Sequence, residues 1–159
     1  SNGADLIPLS SEIRHANAYV RLMNQRFGQS IRFMYHLAPR LSHHLIVKTI
    51  LQPLVENSIK HGFGVDSPGI PISTPAIEVI ITAEEDELVI NINDNGSGFE
   101  PSELDELLKK SSTAKGGHVG ILNVYQRLTA YYGAEKVYIS FSSIPYYCNV
   151  ISIRIPLGS

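Results

Sequence analysis

The 159-residue chain has one cysteine and no tryptophan. Cys148 has no second cysteine to pair with, so an internal disulfide and a CxxC metal or redox pair are both excluded, and a reducing compartment fits best. Neither sign of charge is in large excess: 13 Lys and Arg stand against 15 Asp and Glu, a formal net charge of -2. That leaves no broad basic surface for a phosphate backbone, so no nucleic-acid partner is expected. Long apolar runs are missing too. Stretches such as Leu45 to Val47 fall far short of the roughly 18 residues that span a bilayer, and no secretory signal pattern is present, so this piece is expected to make no membrane contact. No GxxxxGK[ST] phosphate loop occurs, so a bound nucleotide must be held by other means. What is present, 43% apolar and 18% charged residues, suits one domain with one core.

Ser1-Asn2-Gly3 reads as a cloning remnant, and residues 1–8 as a linker or remnant ahead of a domain over 9–157. Ile13, Ala16, Val20, Met23 and Phe27 recur every three or four positions, which predicts an amphipathic helix over Ser11 to Phe27. Ile31, Phe33, Tyr35 and Leu37 alternate with polar or longer residues and predict a half-buried strand ended by Pro39. A second helix is expected from about His44 to Gly62, with Pro53 kinking it or marking the first turn of its second half. Ile77, Val79 and Ile81 precede, and Leu88, Ile90 and Ile92 follow, the acidic turn Glu84-Glu85-Asp86, which predicts a hairpin. Pro101 to Lys110 reads as a short acidic helix. Val119 to Tyr132 reads as an amphipathic helix with Gly133 as a left-handed cap. Val137 to Ser142 and Val150 to Ile155 flank a Pro-Tyr-Tyr turn as the last strand pair. The expected fold class is α+β: a two-layer sandwich of a mixed, largely antiparallel sheet with helices on one face.

Three segments could carry chemistry. On the helix around Gln52 to Gly62, Leu51, Leu54, Val55, Ser58 and Ile59 share one face, while Glu56, Asn57 and Lys60 share the opposite arc with His61 at its edge. An amide oxygen suits Mg²⁺, an ammonium suits phosphate and a carboxylate can accept a proton, although any solvated helix face carries such groups. The turn Asp94-Asn95-Gly96-Ser97-Gly98-Phe99 follows a strand, where glycines permit close approach of a flat ligand and a carboxylate can accept an amino hydrogen; it also reads as an ordinary turn. Gly116-Gly117-His118-Val119-Gly120-Ile121-Leu122-Asn123 opens the helix that carries Arg127, and a helix start offers free N–H groups to an anion, or serves simply as a linker.

Taken in order, these three blocks resemble the nucleotide site of the gyrase, heat-shock ATPase, histidine kinase and MutL superfamily. Within it, the run from Leu51 to Gly62 is similar to the LQPLVENAIKHG block of LytS/YesM-type sensor histidine kinases and differs only at Ser58. The two glycine segments correspond to that family's companion boxes, and the resemblance extends over about residues 9 to 157. It implies the ATP-binding catalytic domain of such a kinase. On that resemblance Asn57 coordinates Mg²⁺, Asp94 receives the adenine amino group, and Gly96 and Gly98 shape the adenine wall. Glu56 polarises the acceptor histidine, and Lys60 and His61 face the phosphates. The backbone of Gly117, His118, Val119 and Gly120, continuing into Ile121 and Asn123, closes over them, with Glu100 to Gly117 as a mobile lid.

The implied cofactors are ATP and Mg²⁺. The implied partners are an upstream phosphoacceptor and dimerisation segment, a response regulator, and a second copy in the full-length protein. The implied setting is the cytoplasmic part of a bacterial inner-membrane sensor. The chain departs from the family pattern in two places. Cys148-Asn149 stand where the family has Gly-Thr, which removes a hydroxyl often used through water near adenine. His118 replaces the first glycine of the usual GxGL run, leaving Gly117 one position earlier. Two other readings stay open at this point: a nucleotide-binding regulatory module without kinase activity, and a gyrase- or MutL-like ATPase.

Overall fold

The computed structural model describes residues 5–64, 72, 74–110 and 118–158. In chain order the elements are β1 (Leu6–Pro8), α1 (Leu9–Phe27), β2 (Arg32–Leu37), β3 (Leu45–Val47), α2 (Leu51–Asn57) continued by a π-helical turn (Ser58–Gly62), β4 (Ala76–Glu84), β5 (Glu87–Asp94), α3 (Pro101–Lys110), α4 (Val119–Tyr132), β6 (Tyr138–Ile144) and β7 (Cys148–Pro156). Five strands form one sheet in the order β2-β4-β5-β7-β6, in which β2 and β4 are parallel and the other pairs antiparallel. The expected mixed sheet with a helical layer is the fold observed.

Period-two alternation decides which face of that sheet is covered. Ile77, Val79 and Ile81 of β4, Leu88, Ile90 and Ile92 of β5, and Ile151, Ile153 and Ile155 of β7 are all buried and lie in cross-strand register. Each such side chain contributes about 1.5–3 kcal/mol when fully buried. The helices supply the other half of the core: Ile13, Ala16, Val20 and Met23 from α1, Leu51, Leu54 and Val55 from α2, and Ile121, Val124 and Leu128 from α4. The helix α1 ends where Gly28 adopts φ 63°, a left-handed cap whose N–H bonds the Asn24 carbonyl. β2 departs from the expected half-buried pattern. It is an edge strand, and Tyr35 is 52% exposed on the face where Phe33 and Leu37 are half-buried.

The segment His44 to Gly62 is not one helix. Leu45–Val47 is a strand that pairs antiparallel with Leu6–Pro8, so residues expected to be linker are drawn into a two-stranded sheet. Pro53 falls in the first turn of a helix that starts at Leu51, where its missing N–H costs nothing. Glu12 of α1 explains why the helix starts there. Its carboxylate, 2% exposed, accepts the N–H groups of Thr49 (2.8 Å), Ile50 (2.8 Å) and Leu51 (2.9 Å). A charged acceptor at a helix N-terminus satisfies orphan donors and complements the helix dipole. It also holds Thr49 at φ 67°, a left-handed conformation that a β-branched residue rarely adopts, and Arg127 of α4 donates to the Thr49 carbonyl at 2.6 Å.

Two ends also differ in detail. Gly133 has φ 96° and ψ 137°, so it is a positive-φ terminator but not a left-handed cap. Pro101–Lys110, expected as part of a mobile lid, is a helix with Leu104 and Leu108 buried in the core. The remainder of that lid, Ser111 to Gly117, lies outside the described residues.

Candidate functional site

The site grows out of the sheet register. Rows of apolar side chains, buried on β5 and β7 and partly buried on β6, cross the sheet as Ile90, Ile153 and Ile139, then Ile92, Ile151 and Phe141. Two residues further along each strand, the next row on the same face is Asp94, Asn149 and Ser143. The sheet thus ends in a polar row aimed into the helical layer, where buried polar groups must find partners.

They do. Asp94 Oδ1 accepts the Gly96 N–H (2.8 Å) and the Asn149 amide (3.0 Å), and Asp94 Oδ2 accepts the Ser58 hydroxyl (2.7 Å). Asn149 also donates to the Gly96 carbonyl at 3.0 Å and accepts the Ser143 hydroxyl at 2.6 Å. The turn after β5 is pressed onto the end of the π-helical turn: Ser97 N–H bonds the Gly62 carbonyl (2.8 Å), and Ser97 Oγ bonds the His61 carbonyl (3.1 Å). A Cβ added to Gly96 would meet Gly62 backbone atoms at 2.6 Å, so only glycine permits that approach. Gly98, at φ 87°, leaves the space that Ser143 and Asn149 fill.

Beside this pocket lies a second group. His118, which precedes α4, contacts Asn57 Oδ1 through Nδ1 at 3.1 Å, and its ring lies 5.0 Å from the His61 ring, centroid to centroid. Burial holds His118 below the ordinary imidazole value of 6.5; His61 lowers it further, and Glu103 opposes both. The first-turn N–H groups of α4 follow directly, and the His118 side chain does not cap them. That end of the helix favours an anion. Among the described residues no three His, Cys, Asp or Glu side chains are grouped to hold a metal ion. A lone amide oxygen suits Mg²⁺, which keeps several waters and takes its other ligands from phosphate.

The remaining sequence-predicted residues are placed as follows. Glu56 and Lys60 line a groove against α1 with Tyr19, Met23, Arg26, Phe27 and Ile59, a different set of neighbours from that of Asn57, His61 and His118. Lys60 follows Glu56 by four residues and His61 follows Asn57 by four, so the two pairs occupy different stripes of the helix; its last turn is π-helical, with the Phe63 N–H bonded to the Ser58 carbonyl five residues back. Gln52 donates to Glu56 at 3.1 Å within that groove side of α2. Val119 and Asn123 are exposed, while Ile121 is wholly buried and offers only its backbone. A Cβ on Gly120 would lie 3.4 Å from the Pro53 carbonyl oxygen. Gly117 lies outside the described residues.

Sequence reasoning missed two members of the pocket, Ser58 and Ser143, and gave Asn149 only as a polar group in place of the family threonine. Ser58 was assigned to the buried face, and the clue was a hydroxyl on an otherwise apolar face at the one position differing from the LytS/YesM block. Ser143 carried no local signal, since only strand register sets it beside Asn149. Asn149 was noted for the hydroxyl it replaces, not for holding Asp94 directly.

Comparison with known proteins bears on the family and the fold. The sequence profile of the family described as "Histidine kinase-, DNA gyrase B-, and HSP90-like ATPase" matches residues 43–159. The chain is 34% identical over 134 residues to a protein named Sensor protein LytS from Oceanobacillus iheyensis, covering 82% of this chain and 22% of that protein. It is 30% identical over 153 residues to Sensor protein LytS from Bacillus subtilis, covering 96% of this chain and 25% of that protein. The chain therefore spans about a quarter of the length of these relatives. Among solved structures, the mycobacterial sensor histidine kinase MprB aligns with a TM-score of 0.64 at 14% identity, over 96% of this chain and 97% of that one. The catalytic domain of histidine kinase ThkA aligns with a TM-score of 0.61 at 15% identity, over 96% of each chain. At such identities these likenesses speak to the fold.

Proposed function

The chain belongs to the family of histidine kinase-, DNA gyrase B- and HSP90-like ATPases, and on that premise we propose that it is the ATP-binding catalytic domain of a LytS-type two-component sensor histidine kinase. It binds Mg-ATP and presents the γ-phosphoryl group to a histidine on a separate upstream dimerisation segment. The observation that carries the reading is the junction of two chemistries: a carboxylate held at the end of a buried sheet face by Ser58, and, on the adjacent residue Asn57, an amide oxygen in contact with the residue that precedes an uncapped helix start.

Asp94 accepts the adenine amino group, with Gly96 and Gly98 giving the base close access to the backbone. Asn57 would offer a hard oxygen to Mg²⁺, which would supply positive charge beside the phosphates. His61, His118 and the first-turn N–H groups of Val119, Gly120 and Ile121 surround the phosphate end. Glu56, oriented by Gln52, polarises the incoming imidazole, and Lys60 beside it adds positive charge. Catalysis is then positioning plus charge neutralisation.

The whole protein carries the acceptor segment upstream, acts as a homodimer, passes phosphate to a response regulator and sits in a bacterial inner membrane with this domain in the cytoplasm. The test supplies the upstream segment in trans with γ-labelled ATP and Mg²⁺. Acid-labile, base-resistant label should enter the supplied segment and not this chain. Steady phosphate release without transfer would instead identify an ATPase.

A further inference from the structure

The helices α2 and α4 are joined at both ends. At one end His118, just before α4, contacts Asn57 Oδ1 through Nδ1 at 3.1 Å. At the other, Arg127 Nη1 donates to the Thr49 carbonyl at 2.6 Å, two residues before α2 begins. Between these contacts Gly120 lies against the first turn of α2, where an added Cβ would stand 3.4 Å from the Pro53 carbonyl oxygen. Moving down α4 therefore moves up α2, and the two helices are antiparallel. From His118 to Arg127 and from Asn57 back to Thr49 the chain covers nearly the same length, about 12–14 Å at the helical rise of about 1.5 Å per residue. Matched spans let the Arg127 side chain fix how far α4 sits along α2.

The acceptor of that bond is itself immobilised. Thr49 has φ 67°, and its N–H and those of Ile50 and Leu51 all donate to the buried Glu12 carboxylate. A strained conformation of this kind persists only where its surroundings over-determine it, so the Thr49 carbonyl offers a fixed point. Arg127 reaches that point with a charged donor, the stronger class of hydrogen bond. The two joints differ in what a ligand does to them. The His118 contact lies among the groups that phosphates would meet, and must be shared or given up when they enter. The Arg127 contact lies at the far end of α2 and stays intact. We infer that Arg127 is a positioning residue for the phosphate end of the site: through the Thr49 carbonyl it sets the first-turn N–H groups of α4 beside Asn57, so that one phosphate chain meets both. The inference rests on the nucleotide reading above and adds to it the residue that keeps the two helices in register.

The test titrates the parent chain, Arg127→Ala and Arg127→Lys with ATP and with adenosine, each with Mg²⁺ and with a chelator, and follows urea unfolding of the ligand-free proteins. Arg127→Ala should bind ATP about 10-fold more weakly than the parent in both conditions, the scale of one hydrogen bond from a charged group, while its adenosine affinity holds. Arg127→Lys keeps a charged donor without the fork and should recover part of that loss. Arg127 is only half-buried, and the lysine variant carries the comparison of ATP with adenosine if the alanine variant does not fold. ATP affinity unchanged in the variants, adenosine affinity falling as steeply as ATP affinity along with unfolding stability, or a lysine variant no better than alanine overturns the inference and leaves nucleotide binding intact. A parent that binds neither ligand overturns the nucleotide reading itself, and this inference with it.

Discussion

Ser58 on the buried side of the second helix donates its hydroxyl to Asp94 Oδ2 at 2.7 Å, which ties the last turns of that helix to the end of β5. The chemistry of Asp94 is thus inseparable from its role in the fold. Asp94→Asn should weaken ATP by about 1.5–3 kcal/mol, because a charged acceptor is lost. It should also lower unfolding stability measurably, since three internal donors converge on that carboxylate. From the sequence alone the effect would be expected to fall mainly on the nucleotide. Ser58→Ala should cost about 1 kcal/mol of stability and less ATP affinity than Asp94→Asn, because Oδ1 stays anchored. Urea denaturation and nucleotide titration on the same preparations separate the two effects.

The two glycines Gly96 and Gly120 should respond oppositely to alanine. A Cβ on Gly96 meets Gly62 backbone atoms at 2.6 Å, so Gly96→Ala must push the turn off the helix end and should cost about 1–3 kcal/mol or more. Gly120 sits in the first turn of α4 with its nearest foreign atom at 3.4 Å, and Gly120→Ala should be neutral or stabilise by up to about 1 kcal/mol through helix propensity. Thermal or urea unfolding of the pair checks this.

Most of the element boundaries were legible because amphipathic periodicity and turn residues are local signals. The hairpin around Glu85 and Asp86 and the helices starting at Pro101 and Val119 lie where the pattern puts them. The stretch from His44 to Ile50 was not legible. Leu45–Val47 becomes a strand only because Leu6–Pro8 pairs with it, and the helix start is fixed by Glu12, nearly forty residues away in sequence. In the site, Asp94, Gly96 and Asn57 were named from the glycine turn and the helix face, whereas Ser143 is brought in by register. Lys60 lies beside Glu56, as a four-residue spacing on a helix predicts, but in a groove against α1 that only the packed fold reveals.

Glu12 carries a prediction of its own. Glu12→Ala removes the acceptor of three backbone N–H groups, two of them buried, and should destabilise the domain by about 3 kcal/mol or more. Glu12→Gln should cost less, since it keeps one oxygen but loses the charge at the helix N-terminus. Equal stability of Glu12→Ala and the parent would show that the helix start is fixed by something else.

The depressed His118 gives a pH dependence with a definite sign. Its neutral form is favoured in the folded chain, mainly by burial, so the unfolded chain binds its proton more readily. The resulting contribution to stability is present above the ordinary value of 6.5 and is lost as pH falls below it toward the folded value. His118→Gln, which carries no titrating ring, should flatten the acid side of the stability profile below that pH. Unfolding midpoints measured with a chelator present report it without a metal.

On the proposed function, Asp94 reads the base while Asn57 serves the phosphate end through Mg²⁺. The most direct measurement is calorimetric titration of the parent and Asn57→Ala with ATP and with adenosine, each with and without Mg²⁺. Mg²⁺ should strengthen ATP binding to the parent, Asn57→Ala should remove most of that gain, and adenosine should bind both proteins alike in either condition. Adenosine affinity falling as steeply as ATP affinity in Asn57→Ala, or a parent that binds ATP equally with and without Mg²⁺, would contradict that assignment.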